Sequence, residues 1–191
     1  AASERGWQLS LGLARLEALS GHKVQRIGLS ATVGNPDAVA DWLSPNHGKA
    51  IIAMGERDTE LTVECAHPLA EDEVGGIEMG VTPRVHASFR RLIEVLRTEP
   101  PCLVFVNSRS EAETLSTRLQ AMAPDLSIGV HHGSLAAETR QEMEDKLRDG
   151  SLSGLVCTSS LELGIDVGSV RRIVQLHSPK SVDRMLQRDG R

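Results

Sequence analysis

Three segments of this chain combine residue types able to handle phosphates or nucleotides. The first is Thr158-Ser159-Ser160-Leu161-Glu162-Leu163-Gly164-Ile165-Asp166. It follows a short apolar run, and the carboxyl ends of parallel strands open on the crevice where α/β sheets bind ligands. Gly164 permits close backbone approach, and Asp166 offers a carboxylate that can accept a hydrogen bond from a ribose hydroxyl. The second is Gln187-Arg188-Asp189-Gly190-Arg191. On a helix begun near Val182, residues Arg184, Arg188 and Arg191 stand at steps of four and three, on one face. A row of guanidinium groups suits phosphate oxygens, because each presents a fixed fork of donors. The third is Ser30-Ala31-Thr32, small hydroxyl residues between a strand-like run and a capped helix, placed to relay a hydrogen bond toward a ligand. Each pattern also has a plainer reading: a polar loop with a turn glycine, a solvated basic helix face, and a simple turn.

Other clusters are weaker. Adjacent His131 and His132 at a strand end point to opposite sides and do not converge on a metal. Glu71-Asp72-Glu73 has the look of an acidic Mg2+ box, but no apolar strand leads into it, and it reads as a solvated acidic loop. Cys65, Cys102 and Cys157 are isolated thiols without C-x-x-C spacing, so neither a disulfide framework nor a zinc site is expected. That usage fits a reducing, cytoplasmic setting, and no metal centre is predicted.

The elements that position these residues follow from periodicity. Leu9, Leu13 and Leu16 mark a helix over about 4–19, with Gly21 as its stop. A strand-like run covers 24–29. Asn35-Pro36-Asp37 then supplies an N-cap, a first-turn proline and an acidic first turn for a helix ending near Leu43. Strand-like runs at 50–54 and 61–65 precede a polar stretch, about 67–83, with the composition of a linker or surface loop. Beyond it helices at about 84–98, 110–122 and 136–148 alternate with strands at 102–106, 128–130, 155–158 and 172–176. A short helix begins near Val182. Trp7 and Trp42 are expected in a core. This alternation implies an α/β fold with a mainly parallel sheet and right-handed crossovers. The boundaries suggested are 1–49, a connecting region 50–83, and 84–191.

The 191 residues suffice for one domain, or one and part of another. Only two Phe, two Trp and no Tyr are present, so the core must be aliphatic. A net charge of −5 argues against indiscriminate polyanion binding but leaves room for a local basic strip. The longest apolar runs, such as Leu103 to Val106, are far too short to span a bilayer.

The order and wording of the segments identify a resemblance. Gly28-Leu29-Ser30-Ala31-Thr32 resembles the Ser-Ala-Thr motif of superfamily-two, DEAD/DEAH-type helicases. Leu103 to Arg109 resembles their fourth motif, and His131-His132-Gly133-Ser134-Leu135 with Arg140 the next. Thr158 to Asp166 is similar to motif five, and Gln187 to Arg191 to the start of motif six. The wording of Val130 to Leu135, Thr158 to Asp166 and Leu29 to Pro36 is similar to the Lhr (large helicase-related) family.

The resemblance implies a RecA-like lobe over 84–191, of the P-loop NTPase type but without its P-loop, preceded by the tail of a first RecA-like lobe. It implies that Ser30, Ala31 and Thr32 couple nucleotide state to lobe closure. Asn107, Ser108, Arg109, Gly133, Arg140 and Thr158 would face the nucleic acid, DNA or RNA, as a single strand or duplex junction. Gly164 and Asp166 would meet ATP, bound with Mg2+. Arg191 would be the arginine finger, with Gln187 and Arg188 supporting it.

No G-x-x-x-x-G-K-[ST] segment occurs in the chain, nor an acidic box before Ser30. The sequence opens on Ala1 without Met and stops inside motif six, where Asp189 fills a position that the family usually gives to a small or apolar residue. It therefore reads as an internal piece of an ATP-dependent helicase, expected to be inactive as an ATPase alone. A non-catalytic nucleic-acid-binding or regulatory module is the alternative.

Overall fold

The computed structural model describes residues 4–30, 33–52, 60–161 and 170–189, with Asp183 described by its backbone alone. Two units emerge, Ala1–Asp58 and Thr59–Arg191. In the first, α1 (Glu4–Ser20) and α2 (Pro36–Leu43) form where the spaced leucines and the Asn-Pro-Asp start predict them. The Asn35 side chain accepts a hydrogen bond from the Ala38 N–H at 3.0 Å, and Pro36 sits in the first turn, where a missing N–H costs little. Arg26 ties the intervening segment to both helices. It pairs with Glu17 at 3.0 Å and donates to the Leu43 carbonyl at 2.9 Å. Trp7, expected in a core, stands exposed at 72%, whereas Trp42 is half-buried. The described parts of the runs at 24–29, 50–54 and 61–65 are irregular, not strands.

The larger unit is built on four parallel strands in the order β2-β3-β1-β4. These are β1 (Cys102–Phe105), β2 (Ile128–His131), β3 (Gly154–Cys157) and β4 (Arg172–Gln175). β1 is central, with Cys102 opposite Gly154 on one side and Arg172 on the other. Because side chains alternate along a strand, β1 feeds two cores. Cys102, Val104 and Val106 join Leu92, Leu96, Leu115 and Leu119, while Leu103 and Phe105 join Leu147, Leu155 and Leu161. A parallel sheet covered on both faces reads as a continuous apolar run, and Cys-Leu-Val-Phe is fully buried.

Helix α4 (Pro83–Thr98) covers the first face with Phe89, Leu92, Ile93 and Leu96 at steps of three and one, the stripe of an amphipathic helix. Thr82 caps it by accepting from the Val85 N–H at 3.4 Å. Helix α5 (Arg109–Met122) packs beside it, and α6 (Ala137–Arg148) contributes Leu147 to the opposite core. Helix α7 (Val182–Asp189) follows β4.

One expectation is corrected. The polar stretch 67–83 contains a helix, α3 (Ala70–Met79), and Asp72 is not a solvated loop residue but fully buried. Its carboxylate accepts from the Leu69 N–H at 2.7 Å, starting the helix, and faces His86 Nδ1 at 2.7 Å and Arg90 Nη2 at 3.0 Å. Those partners lie on α4, so α3 is held by a buried polar hub as much as by apolar contact. Gly75 makes the approach possible, since a Cβ there would meet His86 Nε2 at 2.3 Å.

Candidate functional site

All four strands end at the same edge of the sheet, and the turns beyond them carry the residues singled out by motif. After β1, Val106 leads to Asn107 and Ser108. Ser108 is extended and caps α5 by accepting from the Glu111 N–H at 3.2 Å. Glu111 reciprocates by accepting from the Asn107 N–H at 3.1 Å. The Asn107 side chain donates to the Ser178 carbonyl at 3.1 Å, joining the turn after β1 to that after β4. Glu111 also pairs with His177. Arg109, at the first turn of α5, donates to the Ser134 hydroxyl, which brings the turn after β2 alongside.

The two histidines are turned to opposite faces, as their adjacency on a strand predicts. His131 packs toward α6, with Nε2 3.0 Å from Glu144 and Nδ1 2.8 Å from the Ser160 hydroxyl. His132 packs toward α5, with Nε2 2.7 Å from Glu113. Its Nδ1 accepts from the Ser134 N–H at 3.3 Å, so the neutral ring carries its proton on Nε2. A buried polar ring needs a partner on each side. Glu113 and Glu144, not singled out in the sequence, are those partners. An acid on each flanking helix beside a His-His strand end was the available signal.

Burial lowers the His131 pKa, against the opposing pull of Glu144. The folded ring therefore takes up its proton at lower pH than the unfolded one, whose imidazole titrates near 6.5. A depressed folded pKa gives stability that is complete above the unfolded value and is lost as pH falls below it. Thermal melts between pH 7.5 and 5 should show this decline, and His131→Gln should flatten it. Parallel wild-type and variant curves across that window would contradict the assignment.

Gly133 is exposed. A Cβ built there meets nothing within 4 Å, and Gly133 is absent from the positive-φ glycines. Neither backbone nor neighbours within the fold require glycine at this point. Arg140 lies partly buried on α6 and has no carboxylate partner among the described residues. After β3, the Thr158 N–H donates to the His131 carbonyl at 3.2 Å, and Ser159–Leu161 form a single 3-10 turn. The turns bearing Asn107, Arg109, Gly133 and Thr158 are thus linked by hydrogen bonds into one edge.

Helix α7 differs from the expected basic face. Arg184 is exposed, but Arg188 is 1% exposed, its guanidinium 4.8 Å from the Phe105 ring centroid. Arg188 also donates to Gln175 Oε1 at 3.4 Å. Burial raises the Asp189 pKa, while a hydrogen bond from Gln175 opposes that rise. Gln187 is half-buried beside them. Ser30 is exposed in the smaller unit. Ala31, Thr32, Gly164, Asp166 and Arg191 lie outside the described residues. Among the described residues, no three His, Cys, Asp or Glu side chains gather as a metal site, and no helix is long and apolar enough to cross a membrane.

A fully parallel sheet, helices on both faces and polar turns gathered at its carboxyl edge define a RecA-like α/β lobe of the helicase type. Residues 87–191 match the family described as the helicase conserved C-terminal domain, and the chain belongs to that family. It is 37% identical to ATP-dependent helicase Lhr-Core protein 2 of Thermococcus barophilus, over 100% of this chain and 22% of that protein. It is 39% identical to ATP-dependent helicase Lhr-Core of Methanothermobacter thermautotrophicus, over 99% of this chain and 22% of that one. The structure of Mycobacterium smegmatis helicase Lhr bound to ssDNA and AMP-PNP superposes with a TM-score of 0.76 at 36% identity, covering 98% of this chain and 25% of that one. The chain spans about a fifth of the length of the curated relatives it matches. The resemblance to Lhr-type helicases read from the motifs is borne out.

Proposed function

We propose that this chain supplies the second motor lobe, and the tail of the first, of an ATP-dependent DNA or RNA helicase or translocase. The observation that carries this reading is the hydrogen-bonded edge itself. It gathers the turns bearing Asn107 to Arg109, Gly133 and Thr158, with Arg109 and Arg140 free of carboxylate partners among the described residues. Cations with no carboxylate to neutralise them, beside exposed backbone at a glycine, suit a phosphodiester chain. Asn107 and Ser108 fix the turn, Arg109 and Arg140 meet phosphates, and Gly133 and Thr158 approach the backbone.

ATP with Mg2+ would be met here by Gly164 and Asp166, with Arg191 reaching the transferring phosphate and Gln187 and Arg188 bracing it. The phosphate cradle must come from elsewhere, since the 191 residues hold no G-x-x-x-x-G-K-[ST] segment. Ser30, Ala31 and Thr32 would transmit nucleotide state to lobe closure. The strand would be stepped along as closure and reopening alternate. The missing cradle also favours a second reading, a nucleic-acid-binding module without a motor of its own.

The lobe's strand contacts are testable directly. Single-strand binding by this chain should weaken steeply with salt, and Arg109→Ala should lower the slope of log affinity against log salt by about one. Gly133→Ala should lower affinity about tenfold, near 1.4 kcal/mol, with melting temperature unchanged. Salt-independent binding, or a Gly133→Ala variant that unfolds early but binds normally, would count against the interface.

A further inference from the structure

Next to the strand-facing edge lies a cleft of about 440 Å3 between α4, α5 and the segment after β4. Its floor is apolar, from Val85, Phe89, Leu115 and Leu176, and its rim carries the hydroxyls of Ser88, Ser108, Ser110 and Thr114. The volume lies in the range of small-molecule sites, which combine an apolar lining with a few polar groups. Glu111 marks one end and Arg118 the other, seven residues apart on one face of α5. Two helical turns separate them, about 10.5 Å.

The charges differ in how they are satisfied. Glu111 holds the Asn107 N–H and His177, leaving carboxylate lone pairs over. Arg118 has no hydrogen bond and no ion pair among the described residues. Three of the four arginines of α4 are paired with acids, Arg90 with Asp72, Arg91 with Glu64 and Arg97 with Asp125, while the fourth, Arg84, donates to Cys65 Sγ. A half-buried guanidinium without an anion, at the mouth of an apolar cleft, is the complement of a phosphate.

We propose that this cleft takes one unstacked nucleotide of the bound strand, resting on the proposed strand-binding reading. The base lies on the Phe89–Leu176 floor with an N–H of its polar edge, which every base possesses, toward Glu111 and the Ser108 hydroxyl. The adjoining phosphate meets Arg118. Base faces suit such a floor whatever their sequence, which gives contact without strong sequence choice. Ser108 belongs both to the cleft and to the Asn107–Arg109 turn, so the strand passes from one to the other without a gap.

The experiment compares fluorescence anisotropy of this chain with a labelled single strand and with an abasic strand of equal length. The variants are Thr114→Trp, which fills the cleft from an exposed rim position, and Arg118→Gln, which keeps the fold if the first does not. Wild type is expected to prefer the base-bearing strand at least about fivefold, and Thr114→Trp to abolish that preference. Arg118→Gln should weaken binding, Arg109→Ala should weaken both strands alike, and millimolar free nucleoside monophosphate should not displace the strand. Binding that depends on Arg109 but is unchanged by both cleft variants overturns the cleft and spares the lobe reading, and would mark the cleft as a seat for an apolar peptide. No strand binding at all removes both.

Discussion

Arg191→Ala, in a polypeptide joining this lobe to a phosphate-binding loop, is expected to cut strand-stimulated ATP turnover by about a thousandfold or more while strand affinity stays level. Arginine fingers are worth roughly three to five orders of magnitude in related chemistry. The charge they meet builds up in a partly dry cleft, where preplaced donors act strongly. Arg188, in the same segment, is committed to another contact. Arg188 is buried over Phe105 and bound to Gln175, so its guanidinium anchors α7 to the sheet. Arg188→Ala should therefore lower thermal stability as well as turnover, whereas Arg191→Ala should lower turnover alone. Arg191→Lys should restore little, because an ammonium lacks the planar fork. Arg184→Ala, at an exposed position, is the control and should change neither. Steady-state ATPase with saturating single strand, beside thermal melts, separates these outcomes. Undiminished turnover in Arg191→Ala would remove the finger assignment.

Asp72→Ala is expected to lower the melting temperature of the larger unit by about 10 °C, since it removes one side of a buried charged hub and strands the other. Arg90 loses a two-pronged partner, His86 loses its Nδ1 contact, and the Leu69 N–H loses its acceptor. The hydrogen bond from Arg90 is the main reason the Asp72 carboxyl stays well below the usual carboxylate range, despite burial. A depressed carboxylate pKa contributes stability that is present above the unfolded value, near 3.9, and is lost as pH falls toward the folded value. Wild type and Asp72→Ala should thus differ most near neutrality and converge in strong acid. Melts at stepped pH check the sign. A gap that widens below pH 4 would be incompatible with this hub.

The same residue shows where reading by pattern stops. Ala-Glu-Asp-Glu-Val-Gly-Gly-Ile-Glu-Met has few apolar positions and two glycines, so its periodicity is weak. What makes it a helix is a carboxylate whose partners lie fourteen and eighteen residues away on α4. No local window contains that information. By contrast, β1, α4 and α5 were legible because their apolar residues fall within one local window, as in Cys-Leu-Val-Phe, whereas the caps at Thr82 and Ser108 emerged with the structure. The runs at 24–29 and 61–65 failed for the converse reason. Apolar β-branched residues mark a segment able to pair, but a strand exists only where a neighbour completes its ladder. The site follows the same division. Motif wording located the turns at the sheet edge, while the anchoring of Arg188 over Phe105 needed the fold, because burial at a helix end depends on what the sheet presents beneath it.

The central place of β1 has a consequence for how the chain is made. It is the first strand of the sheet to be synthesised, yet Cys102 must wait for Gly154 and then Arg172 before both of its edges are paired. Until then a ribosome-bound chain displays a short β-forming apolar segment with two open edges, the kind of species prone to aggregation. Pairing between strands so distant in sequence also makes closure of the sheet slow compared with helix formation. Helices α4 and α5, which flank β1 in sequence, can fold over one of its faces in the meantime. The opposite face stays open until Leu147 and Leu155 have emerged. Newly made chains halted between β1 and β3 should accordingly be the ones that chaperones hold.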